Sequence, residues 1–212
     1  MADMPNSLKL TASSQNAVAP NARFYVDDLE DDWNYHQPFD FIYLRYMNGS
    51  IRDWPRLIRQ AHQHLTPGGW LEMHDTVNPL VSDDGTLSKD SALYQWSQLL
   101  QEAALKFGSP LDVARLFKQQ LIDAGFQNVV QFEYKWPVNP WPKDRKWKEI
   151  GMWAQRNLLD GLQGASLALF TKALGWSTVQ LETFLVQVRK DIQNRKIHAY
   201  FPVIVVYGQK PE

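Results

Sequence analysis

The sequence predicts an α/β fold built around a parallel sheet, and three observations carry the prediction. Phe39 to Leu44 (FDFIYL) and Trp70 to His74 are β-like runs joined through short links by one helical segment, the strand–helix–strand pattern of parallel neighbours. Tyr200 to Tyr207 (YFPVIVVY) is a near-continuous apolar run, the pattern of a strand buried on both faces. Apolar residues make up 44% of the 212-residue chain and charged residues 21%, a composition that builds a packed core.

Taken in order, residues 1–20 are polar and read as a loosely ordered N-terminal arm, anchored only by Leu8 and Leu10. Arg23–Val26 is a short β-like run that ends in the acidic cluster Asp27, Asp28, Glu30, Asp31 and Asp32. Phe39–Leu44 is a buried strand. Asp53 to Leu65 is a helix, because Asp53 is an N-cap, Pro55 sits in the first turn, and Trp54, Leu57, Ile58, Ala61 and Leu65 recur at helical spacing. Pro67-Gly68-Gly69 stops that helix, and Trp70–His74 follows as a strand. After a polar loop at 76–90, Ser91–Phe107 and Leu111–Ala124 are helices, the second closed by Gly125. Val129–Trp136 alternates as a strand. Lys146–Ala173 is largely helical, Ser177 caps a further helix, and Tyr200–Tyr207 closes the fold.

Several classes of function are excluded early. Twenty-two Lys and Arg against 23 Asp and Glu give a net charge of −1, which argues against a large nucleic-acid footprint. With no cysteine there is no disulfide scaffold, zinc-thiolate site, thiol nucleophile or iron–sulfur cluster. The N-terminus has no signal-peptide pattern, and no apolar run approaches the roughly 20 residues that span a bilayer. The expectation is a soluble, cytoplasmic protein without a membrane or nucleic-acid partner. Aromatic content is high, at 13% with nine Trp, and serves either core packing or a pocket for a flat, hydrophobic ligand.

Three segments, PNARFYVDDLEDDW, FDFIYLRYMNGSIRDWPRLIRQAHQHLTPGGWLEMHD and RKIHAYFPVIVVYGQKP, resemble the fungal class I methyltransferases related to the LaeA regulator of secondary metabolism. The likeness runs over about residues 18–212. It implies a Rossmann-like sheet with Arg23–Val26 as its third strand, Asp40–Leu44 as its fourth and Leu71–His74 as its fifth. The last two strands would be a reversed pair at the edge, and helical lid insertions at about 88–125 and 143–195 would cover the substrate side. It also implies S-adenosylmethionine as cofactor, held by a glycine-rich loop after the first strand. Here no two of the 11 glycines are spaced G-x-G and none precedes Gly49. The expectation is therefore an incomplete class I methyltransferase sheet lacking its first two strands, in a single truncated domain over 21–212, with no cofactor. Of the cofactor residues only the vestigial acids Asp27 and Asp28 match the pattern, and a solvated acidic turn is their plain alternative.

Loss of the first strand would leave Phe39–Leu44 as an apolar edge with unpaired backbone groups. A homodimer, or a strand from residues 6–12, is expected to cover it. Open α/β sheets bind ligands at the C-terminal ends of their strands. Those ends carry Tyr43, Arg45 and Tyr46 on one strand and Glu72, His74 and Asp75 on its neighbour. His74 beside a carboxylate suits acid/base work, and Arg45 or Tyr46 suits donation to a carbonyl that gains charge, so the catalytic candidates are His74, Asp75, Arg45 and Tyr46. The structural alternative is an Arg45–Asp75 ion pair with His74 merely ending a strand. Tyr43, Glu72, and Trp153 with Asn157 one turn further along a lid helix, are the substrate-binding candidates; for Trp153, core packing is the favoured alternative. His62 and His64 share no helix face and make a poor metal pair, and His36 and His198 have no evident partners.

Three readings of function stay open. The first is a SAM-independent enzyme acting on a small hydrophobic natural-product intermediate of fungal secondary metabolism by cyclisation, isomerisation or a pericyclic step. It predicts a closed apolar pocket with His74, Asp75 or Arg45 pointing into it. The second is a methyltransferase whose cofactor site is completed by another chain. The third is a non-catalytic partner protein, which predicts a large exposed apolar patch.

Overall fold

A four-stranded sheet forms the centre of the protein in the order β3–β4–β6–β5, where β3 is Phe39–Arg45, β4 is Leu65–Thr76, β5 is Gln127–Pro137 and β6 is Tyr200–Gln209. The computed structural model describes residues 8–9, 19 and 21–212. Strands β3 and β4 run parallel, and β6 lies antiparallel between β4 and β5. Only β6 is reversed, therefore, and it sits inside the sheet, leaving β5 at the edge. This amends the expected reversed edge pair: β6 is the most apolar strand and takes an inner position, where neighbours shield both of its edges.

Two further expectations change. Tyr25–Val26 (β2) does not join the main sheet but pairs antiparallel with Leu8–Lys9 (β1) in a separate two-stranded ribbon. The described part of the 6–12 segment thus covers β2 and not the β3 edge; the rest of that segment, and most of the arm, lie outside the described residues. Pro67-Gly68-Gly69 also does not separate helix from strand. The run Thr66–Gly69 lies within β4 as an irregularity, where the register jumps from Phe39↔Leu65 to Phe41↔Trp70. Gly68 makes it possible with φ +75°, and its backbone N–H donates to Lys210 O at 3.1 Å, tying the bulge to the chain after β6.

Helix α1, Trp54–His64, forms as read: the Asp53 carboxylate accepts from Arg56 N at 2.9 Å and Pro55 fits the first turn. Glu30 adds a second cap, accepting from Arg52 N at 2.8 Å and Asp53 N at 3.0 Å. The acidic segment after β2 thereby closes on α1, and Arg56 pairs with Asp32 at 2.7 Å. Trp54, Leu57, Ile58 and Ala61 bury one helical stripe against the sheet. A 3-10 turn at Val113–Leu116 leads into the short helix α3, Phe117–Asp123, whose Phe117 and Leu121 complete the same core. The Leu111–Ala124 segment is therefore a 3-10 turn followed by a helix.

A second core lies between α2 (Ala92–Lys106), α4 (Arg145–Ala168, ending in a π-helical turn at Leu169–Ala173) and α5 (Thr178–Gln193). Polar ties cross it. Trp96 Nε1 donates to Ser166 Oγ at 2.9 Å, and buried Asp191 on α5 accepts from Leu93 N at the start of α2 at 3.1 Å. Ser177 and Gln180 form a capping box on α5.

Candidate active site

Among the described residues, the helices α1 and α3 cover one face of the β3–β4–β6 part of the sheet. Leu71 and Met73 of β4 pack with Ile42 and Leu44 of β3 and Ile204 and Val206 of β6 into the core under α1 and α3. Alternate residues point the other way. On that face Phe41, Tyr43 and Arg45 of β3 stand beside Trp70, Glu72 and His74 of β4. Tyr207 and Val205 of β6 follow, and then Phe132, Tyr134 and Trp136 of β5. Phe41 is 54% exposed, Tyr43 45% and Phe132 45%. The expectation of a buried Phe39–Leu44 strand therefore fails for half its residues: α1 and α3 cover Ile42 and Leu44, and among the described residues no helix covers Phe41 and Tyr43.

His74 sits near the C-terminal end of this open face. Tyr43 Oη lies 3.3 Å from His74 Nδ1, so with the tyrosine donating, the imidazole carries its proton on Nε2. Ring centroids of Tyr46 and Trp136 lie 6.0 and 6.1 Å from His74, and the Arg45 guanidinium stands 5.0 Å over the Tyr46 ring. Burial, and then the Arg45 charge, holds His74 below the ordinary imidazole value, which favours a neutral ring at pH 7. Burial pushes the Tyr46 hydroxyl above the usual tyrosine value, partly offset by its hydrogen bond to Arg45. Tyr46 has φ +54°, left-handed backbone that a tyrosine adopts only when its surroundings force it.

Asp75 supplies that force from the covered side. It is 2% exposed; its Oδ2 accepts from Met47 N at 2.7 Å and Asn48 N at 2.9 Å, and its Oδ1 from Thr76 N at 2.8 Å. Burial pushes its carboxyl up, with the three backbone donors pulling against it. The carboxylate thus pins the turn after β3, and it points away from His74 because successive strand residues face opposite ways. Neither an Arg45–Asp75 ion pair nor a His74–Asp75 dyad forms among the described residues. Asp75 acts as a positioning residue for Tyr46.

The remaining candidates are placed as follows. Glu72 stands on the open face, opposite Tyr43 and Tyr207 in register. Trp153 is 69% exposed on the outer side of α4 with Asn157 exposed beside it, and neither contacts the His74 cluster. His62 packs edge-on against Phe126, and His64 Nδ1 lies 2.9 Å from Gln60 O. No group of three or more potential metal ligands occurs among the described residues. No helix among them is long and apolar enough to cross a membrane. His198 does have a partner: its Nδ1 lies 2.5 Å from Asp84 Oδ2, and Trp141 stacks on its ring at 4.8 Å. Ser82 and Thr86 also donate to Asp84, which holds its carboxyl well below the usual range. Sequence separation concealed this pair. Trp136 carries no local motif that marks it; the alternation of Val129–Trp136, which sets Phe132, Tyr134 and Trp136 on one face, is the signal that points to it.

The residues described do not fit the cofactor that the resemblance implies. An S-adenosylmethionine cradle needs backbone that a ligand can approach without meeting a Cβ. Gly49, the first glycine, has φ +77°, and a Cβ there would meet the Leu111 side chain at 3.1 Å, so it serves a turn packed on the core. Asp27 and Asp28 are exposed, and their carboxylates bond within their own turn, Asp27 to Asp28 N at 3.1 Å and Asp28 to Glu30 N at 2.9 Å.

Comparison with known proteins accords with this architecture. Residues 5–131 match a family described as a methyltransferase domain. The chain is 44% identical over 195 residues to the probable methyltransferase tdiE of Emericella nidulans, covering 92% of this chain and 60% of that protein. It is 42% identical to methyltransferase pytC of Aspergillus terreus, over 93% of this chain and 61% of the relative. It is 32% identical to the secondary metabolism regulator LAE1 of Cochliobolus heterostrophus, over 97% of this chain and 68% of that one. The chain thus spans about 60% of the length of the first two relatives.

Proposed function

From the premise that this chain belongs to the methyltransferase-domain family, we propose that it serves fungal secondary metabolism by holding a flat, hydrophobic intermediate against its open sheet face. One observation carries the reading: an aromatic surface spanning all four strands with a partly buried imidazole near its C-terminal end, which burial holds below its ordinary value. Stacking on Tyr43, Tyr46 and Trp136 orients the ligand ring, and sheet residues lose little freedom when it binds. His74 exchanges a proton with a ring hydroxyl or an acidic carbon, and Tyr43 fixes its tautomer. Arg45 stabilises charge that develops on a nearby oxygen.

Among the described residues the face is open rather than a closed pocket and the outer edge of β3 has no strand partner, which favours a site completed by a second polypeptide laid along that edge. A homodimer is one way to complete it. In this reading the methyl donor is held by the second polypeptide, and this chain contributes acceptor binding and proton movement. The SAM-independent cyclase or isomerase reading rests on a different observation, that Asp27, Asp28 and Gly49 are committed to turns.

The test is calorimetric titration with S-adenosylmethionine, first of the chain alone and then of the chain mixed with the segment of tdiE outside the matched region. Silence alone and binding in the mixture supports the completed site. Silence in both, with His74-dependent turnover of a secondary metabolite, supports the SAM-independent reading. Micromolar binding by the chain alone overturns both.

A further inference from the structure

Two charges on the open face have no partner in the protein. The parallel register sets Arg45 opposite His74 and Tyr43 opposite Glu72, so all four side chains rise on one side of the sheet. The 3.3 Å approach of Tyr43 Oη to His74 Nδ1 shows that sidedness directly, because those two residues are diagonal neighbours across the strand pair. Arg45 and Glu72 form the other diagonal. No ion pair joins them, and neither is in an ion pair with any other of the described residues. The guanidinium lies instead 5.0 Å over the Tyr46 ring. Its charge still reaches the face, since it adds to burial in holding His74 below its ordinary value.

An unpaired cation and an unpaired carboxylate on an aromatic floor call for a ligand with two polar ends. A guanidinium holds a carboxylate through parallel N–H···O bonds, and a carboxylate accepts strongly from a hydroxyl or other donor. Neighbouring strands lie about 4.8 Å apart and two residues rise about 6.6 Å, which separates the Arg45 and Glu72 backbone positions by about 8 Å. A fused pair of aromatic rings bridges such a span and covers the exposed Tyr43 ring on the way. A purely apolar ring would desolvate both charges without answering either, and a cation at the Arg45 end would meet like charge.

We propose that the open face selects planar aromatic acids that carry a hydrogen-bond donor at the far end, with the carboxylate seated on Arg45, the donor on Glu72 and the rings over Tyr43. Such selection rests on the face being a ligand surface, as proposed above, and names the class of that ligand. The probe is the hydroxynaphthoate whose two groups stand at opposite ends of the fused rings. It is titrated calorimetrically at pH 7 against its neutral carboxamide and against the naphthoate without the hydroxyl. The hydroxynaphthoate is expected to bind about tenfold tighter than either comparison compound, and its binding should shift the His74 proton resonances. Arg45→Gln should abolish the preference over the carboxamide and keep the preference over the plain naphthoate, whereas Arg45→Lys, which retains the charge, should keep part of both. Glu72→Leu should do the reverse of Arg45→Gln, with thermal melting confirming that each variant is folded. Equal affinities for the three compounds with His74 still shifting, or preferences that survive these substitutions, overturn the two-point selection and leave the ligand surface standing. No binding of any compound, with His74 unmoved, overturns both.

Discussion

Replacing Asp75 with Asn tests how the left-handed turn beneath the candidate site is held. The native carboxylate receives three backbone N–H groups at 2.7, 2.9 and 2.8 Å while buried. An amide in the same place can put its one oxygen on the Met47 and Asn48 donors only by turning its NH2 towards Thr76 N–H. One bond to a charged acceptor is lost and a buried donor is left facing another donor. Bonds to charged groups contribute about 1.5–3 kcal/mol each. Burial works the other way, because it penalises the ionised carboxyl that Asn replaces. The expected net loss is about 2 kcal/mol, read from urea unfolding at pH 7 with an unchanged m-value. The sign of the pH effect follows from the raised folded pKa. Asp75's titration-linked contribution is fullest below the ordinary value of 3.8 and declines as pH rises through the higher folded value, whereas Asn does not titrate. The gap between wild type and variant should therefore narrow from pH 4 to pH 7. A variant within about 0.5 kcal/mol of wild type at both pH values would refute the claim that this carboxylate pins the turn.

Three further substitutions follow from the geometry. His74 is held below 6.5, so its stability contribution is present above that value and lost as pH falls through the folded one. Proton NMR should find it titrating below 6.5, and His74→Gln should lose less stability than wild type on acidification; a titration at or above 6.5 contradicts the site electrostatics. In α4, a Cβ on Gly151 would stand 2.3 Å from Asn139 O, whereas one on Gly161 would meet nothing within 4 Å. Gly151→Ala should cost about 3 kcal/mol through overpacking, and Gly161→Ala should gain about 0.5–1 kcal/mol of helix stability, both measurable by thermal melting.

Local signals made most elements legible. Asp53, Ser91 and Ser177 each precede a helical apolar stripe, and each caps a helix in the structure. Gly125 takes φ +92° just after α3, as its position implied. What the sequence concealed was pairing between distant segments. Nothing local tells Tyr25–Val26 that its partner is Leu8–Lys9, or tells β6 to insert between β4 and β5. The site was half legible for the same reason. Strand position brought Tyr43, Arg45, Tyr46 and His74 into view, but adjacency in sequence suggested a His74–Asp75 pair that strand alternation forbids. His198 and Asp84, 114 residues apart, were unreadable as partners.

The proposed reading and a purely adhesive one make different demands on the open face. A non-catalytic partner surface predicts an exposed apolar patch, and the aromatic rows of β3 and β5 answer that description. Its C-terminal end does not. Arg45, Glu72 and His74 stand side by side among the rings, and the pairing of β3 with β4 places Glu72 opposite Tyr43 and His74 opposite Arg45. Permanent burial of those three groups is unfavourable unless each meets a matched partner. The polar groups lie together at the end of the sheet where Asp75 holds Tyr46 in left-handed backbone, and the flanking rings lie along the strands. Under the proposed reading, the tyrosine held in that conformation stacks beside the imidazole that would exchange the proton.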